Sequence, residues 1–388
     1  MSDLSSSIRG FIFFGVILLN FAPVKPAGYP LTIAVFLVFY FFRRFVGFSK
    51  YSRVLPYVLV LSGLLLLKGV FDIAAYGISF IEYFRTYFLM QFYLFFWFSC
   101  LCFNASAKAE DVLVSVRWAM FFTVLVAALQ WLEYNVLGGM ALSSFWGGWG
   151  YSEQSYVLDS IGFGHFRATS LYYEPSYFGL VIYTLLVSVL MIDTRMVVAL
   201  KEFILIVLAL FLASSFSAYL SVLVSLVSGW QSKKLLVVKM LVAVAVAVLV
   251  SILSSDMFLA LEQGSSYYRM VAPLEILSNS LVDYPLGVPL GGMEKYILSI
   301  GVLNGGSFGS TLDNGWYLLI FYFGYVGVFA GFVFVIWLLY RIGVSESFKD
   351  GVFYSYFLMI PFFTGAVFAP EFLFLQMVVV ISYRSRSQ

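Results

Sequence analysis

The stretch "FRATSLYYEPSYFGLVIYTLLVSVLMI", residues 166–192, joins charged groups to an apolar run. Its second half is apolar over a length that approaches the ~20 residues a helix needs to cross a bilayer. Arg167 and Glu174 stand just before this run, and Pro175 follows the carboxylate directly. Proline suits the first turn of a helix, because its missing N–H would have no partner there. The stretch therefore predicts a membrane-spanning helix that begins beside a guanidinium and a carboxylate.

The composition of the whole chain is also strongly apolar. Of its 388 residues, 62% are hydrophobic and only 11% are charged, and the mean hydropathy is +0.97. A soluble protein of this size needs more polar residues to cover its surface. We therefore expect an all-α polytopic integral membrane protein with a single membrane domain over residues 1–388. The net charge of +2 is too small to indicate a nucleic-acid partner.

Hydropathy predicts about twelve transmembrane helices. The predicted spans are residues 9–23, 28–43, 54–71, 83–103, 113–136, 171–192, 198–213, 216–230, 236–254, 314–340, 352–369 and 370–383. Serines at 214, 215 and 217 predict a tight turn inside "LALFLASSFSAYLSVLVSL", and Pro370 predicts the boundary between the last two spans. The first apolar run, "GFIFFGVILLNFA" after Arg9, could imitate a signal peptide. We interpret it as an uncleaved first span, because "PVKP" follows it and not a small-residue cleavage site.

The distribution of basic residues predicts the orientation. With both termini in the cytoplasm, all but six of the 22 Lys and Arg residues lie at cytoplasmic helix ends, as the positive-inside rule expects. The six are Lys25, Lys68, Arg85, Arg167, Arg269 and Lys295. Two long polar segments, residues 137–170 and 257–313, then lie on the outer face as loops, and any chemistry faces outward.

Several common catalytic signatures are missing from the sequence. His165 is the only histidine, so a histidine-based metal cluster is not expected. The chain also has no phosphate-binding loop of the type that carries ATP. We therefore expect neither a metal nor a cofactor.

Arg167 and Arg269 stand out among the predicted outer residues. Each lies in one of the two long segments, beside aromatic residues in "HFRATSLYY" and "SSYYRMVAPLEIL". Arginine presents a planar fork that holds phosphate through two hydrogen bonds and keeps its charge when partly desolvated. The pair therefore fits a diphosphate at the membrane surface. The alternative is that each arginine pairs with a nearby carboxylate and only orders its loop.

Other motifs also allow two interpretations. "DYPLGVPLGG", residues 283–292, either brings the backbone close to a ligand or only shapes a loop. Asp313 or Asn314 either caps the helix that follows, or Asp313 supplies a carboxylate to the active cavity. The aromatic loop "SSFWGGWGYSEQSY", residues 143–156, is typical of an interface belt and also fits sugar stacking.

Two pairs of opposite charges share a helical face. Lys68 and Asp72 are four residues apart, and Glu82 and Arg85 are three apart. Ionisable groups at membrane depth are candidates for function. Because both pairs lie near an outer helix end, local ion pairs are the favoured interpretation.

The order of these motifs resembles that of the Wzy-type O-antigen polymerases. "FRATSLYYEPSYFGL" resembles the arginine-to-"EPS" stretch that opens one of their spans. "YYRMVAPLEILSNSLVDYPLGVPLGG" is similar to their second outer loop, and "LDNGWYLLIFYFGYVGVF" to the start of the next span. "LASSFSAYLSVLVSL" is similar to their serine-rich hairpin. The resemblance covers about residues 165 to 335, and the earlier spans match in hydropathy alone.

The resemblance implies a metal-independent glycosyltransferase with a GT-C-like fold, shared with O-antigen ligases. The growing glycan on undecaprenyl pyrophosphate would move to the non-reducing end of another lipid-linked repeat unit. A chain-length regulator and a flippase of the same pathway are the implied partners, beside the bilayer. The implied catalytic residues are Arg167, Arg269, Glu174 and Asp313, with substrate binding by the flanking His165, Tyr172, Tyr173, Tyr267, Tyr268, Asn314 and Trp316.

Two other functions stay open at the level of the sequence. Related ligases carry a histidine near the late span, where this chain reads "TLDNGW", which favours a polymerase over an O-antigen ligase. A flippase for lipid-linked sugars usually shows repeated halves, broken helices and charge at the midplane. None of these is clear in the sequence.

Overall fold

A computed structural model describes most of the chain. The described residues are 2–21, 33–37, 40, 48–77, 79–101, 108–139, 141–142, 156–158, 165–172, 175–192, 200–213, 215–229, 272–300, 312, 314–362 and 370–385. They form a helical protein with one small β-hairpin. The predicted all-α class is confirmed for this part of the chain, apart from that hairpin.

The helices and strands follow one another along the chain in this order: α1 (Ser2–Ile17), α2 (Phe48–Tyr76), α3 (Phe80–Leu101), α4 (Ala109–Leu132), β1 (Tyr156–Leu158), β2 (His165–Arg167), α5 (Pro175–Ile192), α6 (Leu200–Ala213), α7 (Phe216–Gly229), α8 (Ala272–Asp283), α9 (Met293–Ile300), α10 (Gly315–Val344), α11 (Phe348–Met359) and α12 (Pro370–Arg384). A π-helical turn, Glu133–Leu137, extends α4, and a 3₁₀ turn, Ile360–Phe362, extends α11.

Several predicted boundaries agree with these elements. The serine-rich stretch is split between α6 and α7, α5 begins at Pro175, and α12 begins at Pro370. Four described helices are long and apolar enough to cross a membrane: Leu55–Tyr76, Ala109–Leu137, Pro175–Ile192 and Gly315–Val344. Three shorter apolar helices are Ser7–Ile17, Ile204–Ala213 and Ser217–Gly229. The total of twelve spans and the GT-C-like fold stay predictions, since span 236–254 lies outside the described residues and span 28–43 only partly within them.

Helix α5 is the centre of the larger of two hydrophobic clusters. A helix that is apolar all round is buried on every side, and nearly every residue of α5 is buried. Helices α4, α6, α7, α11 and α12 pack against α5, and α1 packs against α4 and α12. The buried residues of these helices, together with Tyr172 and with Leu338 of α10, are called the α5 cluster below.

Small and hydroxyl-bearing residues bring the helices of the α5 cluster together. A Cβ on Gly179 would lie 3.0 Å from the Cβ of Ser215, so α5 and α7 pack closely. The Tyr183 hydroxyl lies 2.8 Å from Ser225 Oγ, which lies 2.9 Å from Ser355 Oγ. Such hydrogen bonds hold helices together where water is excluded.

A second cluster is built around the start of α10. Its buried residues come from α2, α3, α8, α9, α10 and the loop of residues 284–292 between α8 and α9. This loop, called the Gly loop below, contains Gly287 and Gly291, both with positive φ. The first turns of α10 belong to this cluster through Leu318 and Phe321, while Leu338 further along belongs to the α5 cluster. Helix α10 therefore links the two.

Helix α10 is interrupted at Gly324 by the Gly loop. In a regular helix Tyr325 N would donate to Phe321 O. Instead Tyr325 N donates to Pro285 O at 3.0 Å, and Phe321 O accepts from Val288 N at 2.8 Å. Gly324 has φ 56° and ψ −136° at this point. The break has an identifiable cause, because the loop backbone takes over the hydrogen bonds that the helix gives up.

Candidate functional site

Arg167 lies at the end of the β-hairpin that leads into α5. Strands β1 and β2 are antiparallel, and Tyr156 pairs with Arg167. The neighbouring Phe166 is buried, and its ring stacks on Tyr134 with 4.6 Å between centroids. The hairpin is thereby fixed against the π-helical turn that ends α4.

The Arg167 side chain reaches the C-terminal end of α6. Its Nε donates to Ala213 O at 3.3 Å, and the adjacent Ala168 N donates to Leu212 O at 2.9 Å. The last carbonyls of a helix lack partners within the helix and carry partial negative charge, so a cation there is favourable. Arg167 is only half-buried. The guanidinium is thus oriented through its Nε at the turn between α6 and α7.

The segment that follows Arg167 is held by buried polar contacts. Ser170 has φ 55°, which is uncommon for a residue other than glycine. Gln130 on α4 holds it from both sides: Gln130 Oε1 accepts from Ser170 N, and Gln130 Nε2 donates to Ser170 O, each at 2.8 Å. Ser170 Oγ also donates to Thr123 O at 2.7 Å. These contacts hold the backbone between Arg167 and α5 against α4.

Tyr172, a predicted binding residue, lies inside the α5 cluster. Its side chain is buried, and its hydroxyl donates to Val16 O at 3.2 Å. Its ring stacks on Phe178 at 6.4 Å between centroids. The structure gives Tyr172 a packing role, and its contact with substrate stays a prediction.

The second predicted loop is folded around a tyrosine–aspartate pair. Tyr296 on α9 donates to Asp283 at the end of α8, with 2.9 Å between the oxygens. Burial and the Asp283 carboxylate raise the pKa of Tyr296 above its ordinary value, so its hydroxyl stays protonated and able to donate. Tyr284 packs edge-on against Tyr296 and against Tyr76 of α2. Helices α8 and α9 therefore form one unit with the Gly loop and α2.

Lys68 and Asp72 form the predicted ion pair, at 3.1 Å, and they also hold the Gly loop. Asp72 Oδ2 accepts from Leu290 N at 3.0 Å, and Lys68 Nζ donates to Gly287 O at 3.5 Å. The Asp72 side chain is only 1% exposed. The pair is local in sequence, but its remaining hydrogen bonds join α2 to a loop more than 200 residues away. Glu82 and Arg85 lie on α3, but their side chains are not among those that the structure describes.

Asn314 caps α10, as one of the two sequence alternatives predicts. Its Oδ1 accepts from Trp316 N at 3.0 Å. The Asn314 side chain is fully buried, and its Nδ2 lacks a hydrogen-bond partner among the described residues. Trp316 Nε1 donates to Leu358 O of α11 at 3.3 Å. The start of α10 is thus joined to the α5 cluster on one side and to the Gly loop on the other.

The structure describes only part of the predicted site. Arg167, Tyr172, Asn314 and Trp316 are described with their side chains, and His165 through its place in β2. The remaining candidates lie outside the described residues: Tyr173, Glu174, Tyr267, Tyr268, Arg269 and Asp313. Most of the aromatic loop 143–156 lies outside them as well. The joint contact of the two arginines with one diphosphate therefore stays a prediction.

Two features of the site were missed by the sequence analysis. Gln130 is a lone amide in an apolar helix, and that isolation was a usable signal for a buried polar contact. The second is the contact between the Gly loop and α10. The glycines of "FYFGYVGVF" gave only a weak signal for it, because glycine is common in membrane helices.

Within the described residues, no group of three or more His, Cys, Asp or Glu side chains is arranged to hold a metal ion.

The described helices and the apolar composition define the class as a helical membrane protein, in which an arginine is held at the end of a helix. A sequence model of the WcaD colanic acid polymerase family matches residues 11–385. The chain therefore belongs to the WcaD colanic acid polymerase family, and the predicted resemblance to polysaccharide polymerases is confirmed at that level.

A curated relative supports the same assignment. An Escherichia coli (strain K12) protein described as "Putative colanic acid polymerase" is 29% identical to this chain over 273 residues. The alignment covers 65% of each chain, so it spans about two thirds of this relative.

Proposed function

We propose that this protein is a polysaccharide polymerase that joins lipid-linked repeat units at the periplasmic face of the bacterial inner membrane. The family match over residues 11–385 is the observation that carries this proposal. The donor is a growing glycan on undecaprenyl pyrophosphate. The acceptor is the non-reducing end of another lipid-linked unit. Both termini lie in the cytoplasm, and segments 137–170 and 257–313 are the periplasmic loops.

The proposed reaction needs little from the protein beyond positioning and charge. The anomeric C–O bond to the pyrophosphate breaks, and the electron pair leaves with undecaprenyl pyrophosphate. The acceptor hydroxyl oxygen forms the new glycosidic bond, and its proton passes to the departing pyrophosphate or to water. The leaving group is already activated, so the reaction needs neither nucleotide nor metal. Negative charge grows on the departing phosphate oxygen, and preorganised donors stabilise such charge most effectively.

Arg167 is suited to that task by its surroundings. Its Nε is fixed by the end of α6, and the backbone after it is held by Gln130 and Thr123. A guanidinium fixed through Nε loses less freedom when its other nitrogens bind a phosphate oxygen, because part of its ordering is already complete. Arg269 would supply the second guanidinium. Glu174 would order an arginine or an acceptor hydroxyl, and Asp313 would supply a carboxylate.

The remaining candidates would form the sugar and lipid subsites around these charges. Tyr173, Tyr267, Tyr268 and Trp316 would offer aromatic surface, and Asn314 has a buried amide group whose Nδ2 could donate to an acceptor atom. A chain-length regulator and a flippase are the proposed partners in the pathway.

Cells that lack this protein test the proposal against its two rivals. The expected result is loss of long chains, with single repeat units accumulating on the lipid carrier in the outer leaflet. There, a membrane-impermeant oxidant such as periodate should modify their sugars in intact spheroplasts. A flippase predicts that the units stay protected inside. An O-antigen ligase predicts that long chains still form on the lipid carrier. Either of these results would replace the polymerase assignment.

A further inference from the structure

We infer that Lys68 and Asp72 are positioning residues that fix the second outer segment, residues 272–300, for glycosyl transfer; this inference rests on the proposed function. The pair and its two loop contacts are called the α2 latch below. It consists of Lys68 and Asp72 on α2 with Gly287 and Leu290 of the Gly loop.

The geometry of the latch differs from that of an ordinary ion pair between residues four apart. Asp72 uses one oxygen for Lys68 and the other for Leu290 N–H. Lys68 directs a further donor to Gly287 O. An ionised carboxylate with 1% exposure is costly unless all its oxygens have partners. The loop backbone supplies one of those partners, so the buried charge is stable only when the loop is in place.

The loop held by the latch is also the one that interrupts α10. Val288, between the two latched residues, donates its N–H to Phe321 O, and Pro285 O accepts from Tyr325 N. The latch therefore acts on both flanking helices, α8 and α9, and on the α10 segment that begins at Asn314. In a site where a misplacement of about 1 Å can cost about a hundredfold in rate, this coupling matters to catalysis.

Reversing the pair separates a latch from a local ion pair. The double variant Lys68→Asp/Asp72→Lys keeps opposite charges four residues apart on α2. It places an acceptor opposite Gly287 O and a donor opposite Leu290 N–H, so neither loop hydrogen bond can form. A purely local pair predicts a normal protein. The latch predicts a displaced loop and a roughly hundredfold loss of chain elongation.

Loop position is measured without reference to activity. In a background in which Cys100 and Cys102 are replaced by serine, Val288→Cys reports on the latched state, because Val288 is 1% exposed. It should resist an impermeant thiol reagent in the otherwise unchanged protein and react in the reversed pair. Leu286→Cys is the matched control, since Leu286 is 61% exposed and should react in both.

Two further variants of Lys68 complete the test. Lys68→Arg keeps the charge and N–H donors for both Asp72 and Gly287 O. In this variant residue 288 should stay protected from the thiol reagent, and chain elongation should continue. If the reversed pair does not accumulate in membranes, Lys68→Met is used, and residue 288 should again become reactive. Protection in the reversed pair or, where that is the variant used, in Lys68→Met would overturn the latch. Reactivity with normal elongation would overturn its role in positioning. Because labelling does not need substrate, failure of the proposed function leaves the latch itself testable.

Discussion

Replacing Arg167 by alanine should remove long polysaccharide chains while the protein still accumulates in the membrane. The loss of one preorganised donor to a developing oxyanion typically costs about 2.7–4 kcal/mol, or roughly a hundred- to a thousandfold in rate. The same loss is expected for Arg269→Ala. Arg→Lys should restore little at either position, because an ammonium keeps the charge but lacks the planar fork. Gel electrophoresis of the polysaccharide measures chain length, and an immunoblot of the membranes measures protein accumulation.

The structure supplies a sharper variant for Arg167. Its Nε donates to Ala213 O at the end of α6, so a purely structural role for the arginine is a real alternative. Glutamine carries its amide nitrogen at the same position along the side chain as arginine Nε. Arg167→Gln therefore keeps a donor for Ala213 O and removes the charged fork.

The outcome of Arg167→Gln decides between the two roles. The proposed role predicts that it fails as completely as alanine does, with normal protein levels. The structural role predicts that it works. Arg341→Ala is the control, since Arg341 is an exposed arginine in the last turn of α10. Near-normal long chains in Arg167→Gln would remove the charge of this residue from the mechanism.

Gly324→Ala should be among the most destabilising single substitutions in the protein. A Cβ at this position would lie 2.0 Å from Pro285 O and 2.5 Å from Gly287 N. Both atoms belong to backbone, so no side chain can move aside. The φ of 56° with ψ of −136° is also strained for any residue with a Cβ, at about 1–3 kcal/mol. The loop must then leave the break in α10, and both backbone hydrogen bonds are lost.

Gly287→Ala should reproduce this effect from the loop side, because its Cβ would lie 2.2 Å from Tyr322 O. Gly63→Ala on α2 is the matched control, since a Cβ there meets nothing within 4 Å. It should be neutral or stabilise the helix by about 0.5–1 kcal/mol. Thermal unfolding of the detergent-purified variants measures all three. Equal melting temperatures for Gly324→Ala and Gly63→Ala would contradict the observed contact.

Features that depend on neighbouring residues could be predicted from the sequence. The start of α5 at Pro175 and the break between α6 and α7 follow from local preferences. The same preferences limited the cap of α10 to Asp313 or Asn314, and the structure identifies Asn314. The pairing of Lys68 with Asp72 follows from helical periodicity in the same way.

Features that depend on distant residues were beyond the sequence. "GWYLLIFYFGYVGVFAGFVFV" reads as one continuous apolar helix, and only a loop from elsewhere in the chain explains its break at Gly324. The two sequence alternatives for Arg167 were a diphosphate and a carboxylate. One contact that the structure adds is the helix-end carbonyl of Ala213, and a backbone carbonyl has no side-chain signature in the sequence.

Chain elongation by the purified protein tests the proposed polymerase activity most directly. The protein in nanodiscs is supplied with single repeat units on undecaprenyl pyrophosphate, with excess chelator and without nucleotide or membrane potential. Product length is then read by mass spectrometry. A polymerase of this mechanism should produce glycans of two or more units on the lipid carrier, and Arg167→Gln should lose them. Folded protein that leaves every unit single, or that elongates only when nucleotide or metal is added, would contradict this mechanism.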